Sequence, residues 1–253
     1  MRVLVTNDDG INAPGLECLE KIAAELFDDI WVVAPETEQS GASHSLTLSH
    51  PLRLRHLEER RFAVEGTPTD CVLMGIKNIL PEPPDLVLSG VNRGQNLCED
   101  VTYSGTVAAA MEGTALGVRS IALSQTYGLA GRDSLRWETA EAHGGDLVRR
   151  LLATDWGDGV LINVNFPDCA PHKVEGIEIT VQGQRDQNLV ELDERIDARG
   201  RPYYWIGFER RRSNPGQGTD LRAVYDGRIS VTPLHMDLTQ RQAMTALRAA
   251  FDG

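Results

Sequence analysis

The chain has 253 residues, of which 41% are apolar and 25% are charged, a composition typical of a globular protein with one large domain. Acidic residues outnumber basic ones by 37 to 25, which gives a formal net charge of -12. A surface this acidic repels a duplex phosphate backbone and argues against a general nucleic-acid-binding protein. A small phosphorylated substrate stays compatible with this charge if a bound divalent cation supplies a local positive centre.

The cysteines and the N-terminus indicate a cellular location. Cys18, Cys71, Cys98 and Cys169 are scattered without a C-x-x-C pair, which argues against a zinc knuckle and against a disulfide framework. No signal-peptide pattern precedes the first apolar run, and no apolar run is long enough to span a membrane. We therefore expect a cytoplasmic protein with no membrane partner.

Strand patterns alternate with helical patterns through the first two-thirds of the chain. This alternation predicts βαβ units, and therefore a Rossmann-like α/β fold whose mostly parallel sheet carries helices on both faces. The predicted elements, in chain order, are a strand at 3–6, a helix at 15–27, strands at 30–34 and 85–89 separated by a helix at 68–80, a helix at 105–116, a strand at 120–124, a helix at 137–152 and a strand at 160–164.

Three segments depart from this alternation. Residues 52–55 and 61–64 alternate as in a solvent-facing hairpin. Residues 183–218 are polar and charged around a Tyr-Tyr-Trp cluster, which indicates an arm extending from the core. The end of the chain, 238–253, contains a helical pattern up to residue 251. We therefore predict a single domain over 1–253 with a protruding arm and a tail helix.

The first candidate site follows the first strand, where Asn7, Asp8, Asp9 and Gly10 occur in succession. In an open α/β sheet, ligands gather at the carboxyl ends of the strands. Two adjacent carboxylates repel each other, and a hard divalent cation relieves that repulsion. The alternative is a plain turn, because Asn-Asp-Asp-Gly is also a good turn sequence.

Three further segments follow other predicted strands, and each has a simpler alternative. Residues 39–45 could supply hydroxyl oxygens including Ser40, or could form an ordinary loop. Residues 89–96 could supply the Asn92 amide oxygen to the same ion, or could form a Gly/Asn-rich turn. Ser104 is a good N-cap for the helix that follows, whose free N–H groups could bind a phosphate or could simply be capped.

Together these segments resemble the survival protein E (SurE) family of nucleotide phosphatases. Each segment is a weak signal alone, but the ordered set is specific and covers nearly the whole chain. The matching stretches are Val3–Gly10, Ala13–Gly15, Val33–Pro35, Gln39–Gly41, Gly66–Asp70, Asp85–Gly94, Tyr103–Val107 and Val231–Leu234.

The resemblance implies a phosphatase of nucleoside 5′-monophosphates, often also active on 3′-monophosphates and sometimes on short polyphosphate. It implies one Mg²⁺ or Mn²⁺ ion per subunit, and a homodimer or homotetramer formed through the arm and the C-terminal segment. Carried over by position, the metal ligands would be Asp8, Asp9, Ser40 and Asn92, and the phosphate would contact Asn96, Ser104, Gly105 and Thr106.

In the expected reaction, Asp8 either orients and deprotonates a metal-bound water or attacks phosphorus directly. His44 and His235 are candidates for protonating the leaving group, although a structural role is the simpler expectation for each.

Three other protein classes compete with this interpretation. A dinucleotide-binding oxidoreductase would need a G-x-G-x-x-G motif after the first strand, where two aspartates stand instead. A haloacid-dehalogenase-like phosphatase would need D-x-D there. A non-catalytic nucleotide-binding stress-response protein stays open.

Overall fold

A computed structural model describes residues 1–128, 131, 135–185, 190–208 and 213–251. The strands in this part of the chain are β1 (Arg2–Thr6), β2 (Asp29–Pro35), β3 (Arg53–Glu58), β4 (Arg61–Glu65), β5 (Leu86–Arg93), β6 (Arg119–Gln125), β7 (Val160–Phe166), β8 (Ile177–Ile179), β9 (Val190–Ile196), β10 (Pro202–Phe208) and β11 (Ile229–His235). The helices are α1 (Pro14–Ala24), α2 (Pro68–Met74), α3 (Gly105–Ala115), α4 (Trp137–Leu152), α5 (Asp220–Tyr225) and α6 (Arg241–Phe251).

The described strands form a nine-stranded main sheet in the order β3-β4-β2-β1-β5-β6-β7-β11-β8. In this order, each neighbouring pair in the run β4-β2-β1-β5-β6-β7 is parallel. The chain therefore leaves β1 in one direction towards β2 and later returns to add β5 on the other side of β1. Such a reversal of strand order is a topological switch point, where the carboxyl ends of the strands border a crevice.

Helices cover both faces of this sheet, as predicted. Val3 and Val5 of β1 belong to the core that packs against α1 and α4. Leu4, between them, faces the opposite core, which contains Val72 of α2 and Ala109 of α3. Side chains alternate along a strand, so burial on both faces explains the continuous apolar runs that the sequence shows.

The predicted loop over 89–96 is wrong in its first half, because β5 continues to Arg93. The strand register shifts between Ser89 and Asn92, after which Asn92 pairs with Ser124 of β6. The Gly- and Asn-rich composition favours a turn, but pairing with β6 overrides this local preference. Asn92 therefore lies on the sheet itself rather than in a free loop.

Three further differences concern elements away from β1. The predicted helix over 68–80 consists of two parts: α2, which ends at Met74, and a π-helical turn over Gly75–Ile79. The predicted hairpin is joined to the main sheet, since β4 pairs in parallel with β2, while β3 is exposed along its length. The strands β8 and β11 and the helix α5 were not predicted. Helix α4 begins and ends at the predicted residues.

The predicted arm contains the antiparallel hairpin of β9 and β10. Residues 186–189 and 209–212 of that prediction, and residues 252–253 of the predicted tail, lie outside the described residues. The tail helix α6 begins later than predicted and buries none of its residues. Among the described helices, none combines the length and the hydropathy needed to cross a membrane.

Candidate active site

The turn after β1 presents two neighbouring carboxylates at the switch point. Asn7 closes this turn, because its Nδ2 donates to the Gly10 carbonyl at 2.9 Å and its Oδ1 accepts from the Gly10 N–H at 3.3 Å. The turn is also tied to the loop after β2, since the Gln39 N–H donates to the Asp8 carbonyl at 2.7 Å. Asp8 and Asp9 therefore leave the strand on a fixed backbone.

Asp8 is buried, with 4% of the residue exposed, and its carboxylate lies at the start of α3. Its Oδ1 accepts a hydrogen bond from the Thr106 hydroxyl at 2.5 Å. A Cβ placed on Gly105 would lie 2.9 Å from its Oδ2, so the absence of a side chain at Gly105 makes room for the carboxylate. The positive end of the helix dipole favours a negative charge at this place.

Burial first and the nearby charge of Asp9 second raise the pKa of Asp8 to about 7, although hydrogen bonds from Thr106 oppose both effects. A carboxyl group with this pKa exchanges protons near neutral pH, as a general base must. Its ionised form is costly beside Asp9 unless a cation is bound. The chemistry of the two carboxylates therefore fits a bound cation.

Asp9 and Asn92 are brought together by the extension of β5. Asp9 is half-buried, and its Oδ2 accepts the backbone N–H of Arg93 at 3.0 Å. The Nδ2 of Asn92 donates to the Gly94 carbonyl at 2.9 Å, which leaves the Oδ1 as the amide atom suited to a cation. The end of β5 thus lies directly against the turn that carries both aspartates.

Ser40 is exposed and follows Gln39, the residue that is hydrogen-bonded to the Asp8 backbone. Its hydroxyl donates to Glu38 at 2.9 Å, a contact that metal binding would have to share or replace. In the described part of the chain, no group of three or more His, Cys, Asp or Glu side chains is placed to hold a metal. The four predicted ligands form a different set, with two carboxylates, one amide and one hydroxyl, and hard cations such as Mg²⁺ and Mn²⁺ prefer such oxygen atoms.

Ser104 caps α3, as predicted, because its hydroxyl oxygen accepts the Val107 N–H at 3.0 Å. The first N–H groups of a helix have no partner within the helix, so the start of α3 can bind an anion. Thr106 has a contact that the sequence did not predict, since its hydroxyl holds Asp8. The same turn therefore combines a predicted phosphate site with a support for the proposed base.

Asn96 is buried and held by polar side chains from two neighbouring strands. Its Nδ2 donates to the Ser124 hydroxyl at 2.9 Å, and its backbone N–H donates to Asn165 at 2.8 Å. Its carbonyl accepts from Asn163 at 2.8 Å and from Asn165 at 3.1 Å. None of these three supporting residues was predicted from the sequence. Their signal was the presence of amides and a hydroxyl near the ends of otherwise apolar strands.

The two histidines occupy different places. His44 lies next to α3, and its Nε2 is 2.9 Å from the Glu112 carboxylate. His235 pairs with Val160 at the amino end of β7, which is the opposite edge of the sheet from Asp8. Its Nδ1 accepts the Asp237 N–H at 2.7 Å. The structure thus places His235 in the junction before the tail helix and, within one chain, removes it as a proton donor to this site.

A cleft of about 430 Å³ opens beside Asp9. Its walls include the side chains of Arg93, Trp137, Glu36 and Glu38. Its size falls within the range of pockets that bind small molecules. Asp9 therefore borders a space that can admit a ligand.

The comparisons with known proteins agree with this geometry. Residues 3–189 match the family model described as Survival protein SurE. The chain belongs to the SurE family. It is 62% identical to "5′-nucleotidase SurE" of Parvibaculum lavamentivorans over 99% of this chain and 91% of that protein. It is also 62% identical to the protein of that name from Methylobacterium nodulans, over 99% of this chain and 100% of the relative.

The fold is that of a solved family member. The crystal structure of the SurE protein from Aquifex aeolicus superimposes with a TM-score of 0.85 at 40% sequence identity, and the match covers 99% of each chain. The predicted α/β architecture and the predicted family are therefore confirmed. The roles of the individual site residues stay predictions.

The raised pKa of Asp8 predicts how stability depends on pH in EDTA-treated protein. The folded state holds the Asp8 proton more tightly than the unfolded state, in which the pKa is near 3.8. The stabilisation that results is complete below that pKa and is lost as the pH rises to about 7. Asp8→Asn should remove this loss, so the variant should be more stable than the wild type at about pH 8.

Urea unfolding at several pH values between about 5 and 8 measures this difference. Asp158→Asn, which alters an exposed aspartate in a turn, is the matched control and should follow the wild type. Identical pH dependence in the wild type and Asp8→Asn would show that burial does not disfavour the ionised Asp8.

Proposed function

We propose that the chain is a metal-dependent nucleotide phosphatase that removes phosphate from nucleoside 5′-monophosphates. The observation that carries this proposal is the buried Asp8 carboxylate, seated against the start of α3 and next to Asp9. The nucleotide substrate is supported by the name 5′-nucleotidase that close relatives carry. The same phosphoryl site would accept 3′-monophosphates and short polyphosphate, because its contacts are directed at phosphate oxygens.

The proposed cofactor is one Mg²⁺ or Mn²⁺ ion per subunit, held by Asp8, Asp9, Ser40 and Asn92. When bound, such an ion polarises phosphoryl oxygens and lowers the pKa of a coordinated water. The support is the donor set itself, together with the repulsion between the two carboxylates.

The side chains and backbone groups of the site have separate roles in the proposed reaction. Asp8 takes the proton of the attacking water while the ester P–O bond breaks and the nucleoside oxygen gains a proton from water; in the alternative route Asp8 attacks phosphorus as that bond breaks, and water then hydrolyses the aspartyl phosphate. Thr106 keeps the Asp8 carboxylate in place. The Gly105 backbone N–H and the dipole of α3 stabilise the charge that builds up on the phosphoryl oxygens. The Asn96 amide, fixed by Ser124, contributes a further hydrogen bond to the same oxygens.

The direct test of this proposal is phosphate release from AMP in the presence of Mn²⁺, Mg²⁺ or EDTA. We expect release with a divalent ion and none with EDTA. Asp8→Asn should lower kcat on the order of 10²- to 10⁴-fold, as expected for the loss of a general base. Asp158→Asn should keep the wild-type rate. Release that continues in EDTA, or an Asp8→Asn variant of normal activity, would refute the proposed function.

Thr106 permits a finer test, because its hydroxyl lowers the pKa of Asp8. Thr106→Val keeps the shape of the side chain but removes the hydroxyl, so the pKa of Asp8 should rise. We expect the acid limb of the pH profile of kcat/KM to move to higher pH. Thr106→Ser keeps the hydroxyl and should keep the wild-type profile. If Thr106→Val and Thr106→Ser gave the same pH profile of kcat/KM, the Thr106 hydroxyl would not lower the pKa of Asp8.

The arm supports self-association as part of the same proposal. The hairpin of β9 and β10 is a two-stranded ribbon, which is at best marginally stable alone in water. It exposes Leu192, Tyr204, Trp205 and Ile206, and exposed apolar clusters mark association surfaces. We propose a second copy of the chain as the partner, in a homodimer or homotetramer. The cytoplasmic location stays a prediction.

A further inference from the structure

The chain reaches the proposed phosphate site through a short turn whose position is set by Asp100. This turn is a 3-10 helix over Cys98–Thr102, and α3 begins soon after it. The carbonyl of Asp100 accepts the N–H of Tyr103 and the N–H of Ser104, both at 3.0 Å. The helix start that would face phosphate therefore moves with Asp100.

Arg185 holds Asp100 from the base of the arm. Its Nη1 donates to Oδ1 of Asp100 at 2.8 Å, and its Nη2 donates to Oδ2 at 2.6 Å. Only 9% of the Arg185 side chain is exposed, compared with 28% of that of Asp100. A bidentate pair of this kind fixes direction as well as distance, and the planar guanidinium is suited to it.

Further contacts join the base of the arm to the same turn. The fully buried carboxylate of Asp220 accepts the N–H of Cys98 and the N–H of Gly183, both at 2.9 Å. Cys98 has a φ of +55°, a conformation that is unfavourable for a non-glycine residue and needs support from its surroundings. The side chain of Gln182 supplies part of that support by donating to the Cys98 carbonyl at 2.8 Å.

We propose that Arg185 is a positioning residue for phosphate binding, which acts through Asp100 on the N–H groups at the start of α3. The inference rests on the proposed function, because it requires that phosphate binds at this helix start. Loss of the pair would let the turn shift and would weaken phosphate binding. Asp9 and Asn92 should be disturbed less, since they are held by separate hydrogen bonds at the end of β5, whereas Asp8 contacts α3 through Thr106.

The variants Arg185→Gln, Arg185→Lys and Asp100→Asn test this inference in the full-length protein. Arg195→Gln is the matched control, since Arg195 forms an exposed ion pair with Asp193 on the same arm. The measurements are kcat and KM for AMP, the inhibition constant of inorganic phosphate, and the Mn²⁺ concentration for half-maximal activation. Circular dichroism melting checks that each variant is folded.

For Arg185→Gln we expect kcat/KM to fall on the order of 10- to 100-fold, as for a small misplacement of binding groups. The inhibition constant of phosphate should rise in parallel, while the Mn²⁺ concentration for half-maximal activation should change much less, because Asp9 and Asn92 do not contact α3. Arg185→Lys should fall between the wild type and Arg185→Gln. The double variant Arg185→Gln/Asp100→Asn should be no worse than the more impaired single variant, because both changes disrupt the Arg185–Asp100 pair and the contacts of Arg185 with Glu99 and the Leu97 carbonyl are lost already in Arg185→Gln.

Three results would overturn the inference: Arg185→Gln behaving like Arg195→Gln, equal shifts in phosphate inhibition and Mn²⁺ activation, or additive effects in the double variant. If Arg185→Gln does not fold, Arg185→Lys and Asp100→Asn decide the question through the same constants. A wild-type protein that is inactive on AMP would instead refute the proposed function. Calorimetric binding of inorganic phosphate to the wild type and the variants would then decide the role of Arg185 on its own.

Discussion

Two adjacent carboxylates at the end of β1, one of them buried, impose the main constraint on this molecule. Water would screen Asp8 and Asp9 from each other on an exposed turn, but Asp8 lies inside the protein and its pKa rises to about 7. The Thr106 hydroxyl and the start of α3 reduce the free-energy cost of ionising Asp8 beside Asp9. A bound cation would remove most of the remaining cost, so the features that make the turn unfavourable alone are those that suit it to metal binding.

The sheet topology explains why these groups meet. Because β2 and β5 lie on opposite sides of β1, the segments that follow these strands converge on the aspartate turn. Gln39 contacts the Asp8 backbone from one side, and Arg93 contacts the Asp9 carboxylate from the other. The proposed phosphate contacts come from the start of α3 and from Asn96. They are joined to the aspartate turn by the Thr106 hydroxyl, which donates to Asp8.

Local sequence signals were sufficient for much of this arrangement. The aspartates after β1 and the Ser104 cap were predictable because a short apolar run, a turn glycine and a capping hydroxyl each act within a few residues. The bounds of α4 were predictable from its regular helical pattern. The continuation of β5 was not predictable, since it depends on pairing with β6. The same limit applies to β11, whose Pro233 opposes a strand assignment until pairing with β7 is known.

Contacts between distant parts of the chain could not be predicted from local sequence patterns. Arg185 and Asp100 are 85 positions apart, and neither belongs to a pattern that identifies its partner. Asn165 and Asn96 likewise meet only after β7 has joined the sheet.

The central claim, that the carboxylate pair captures a divalent ion, is tested most directly by titrating metal-free protein with Mn²⁺ and following free Mn²⁺ by electron paramagnetic resonance. We predict that one ion binds per wild-type subunit and that Asp9→Asn loses this binding; no capture by the wild type, or equal capture by the variant, would contradict the claim.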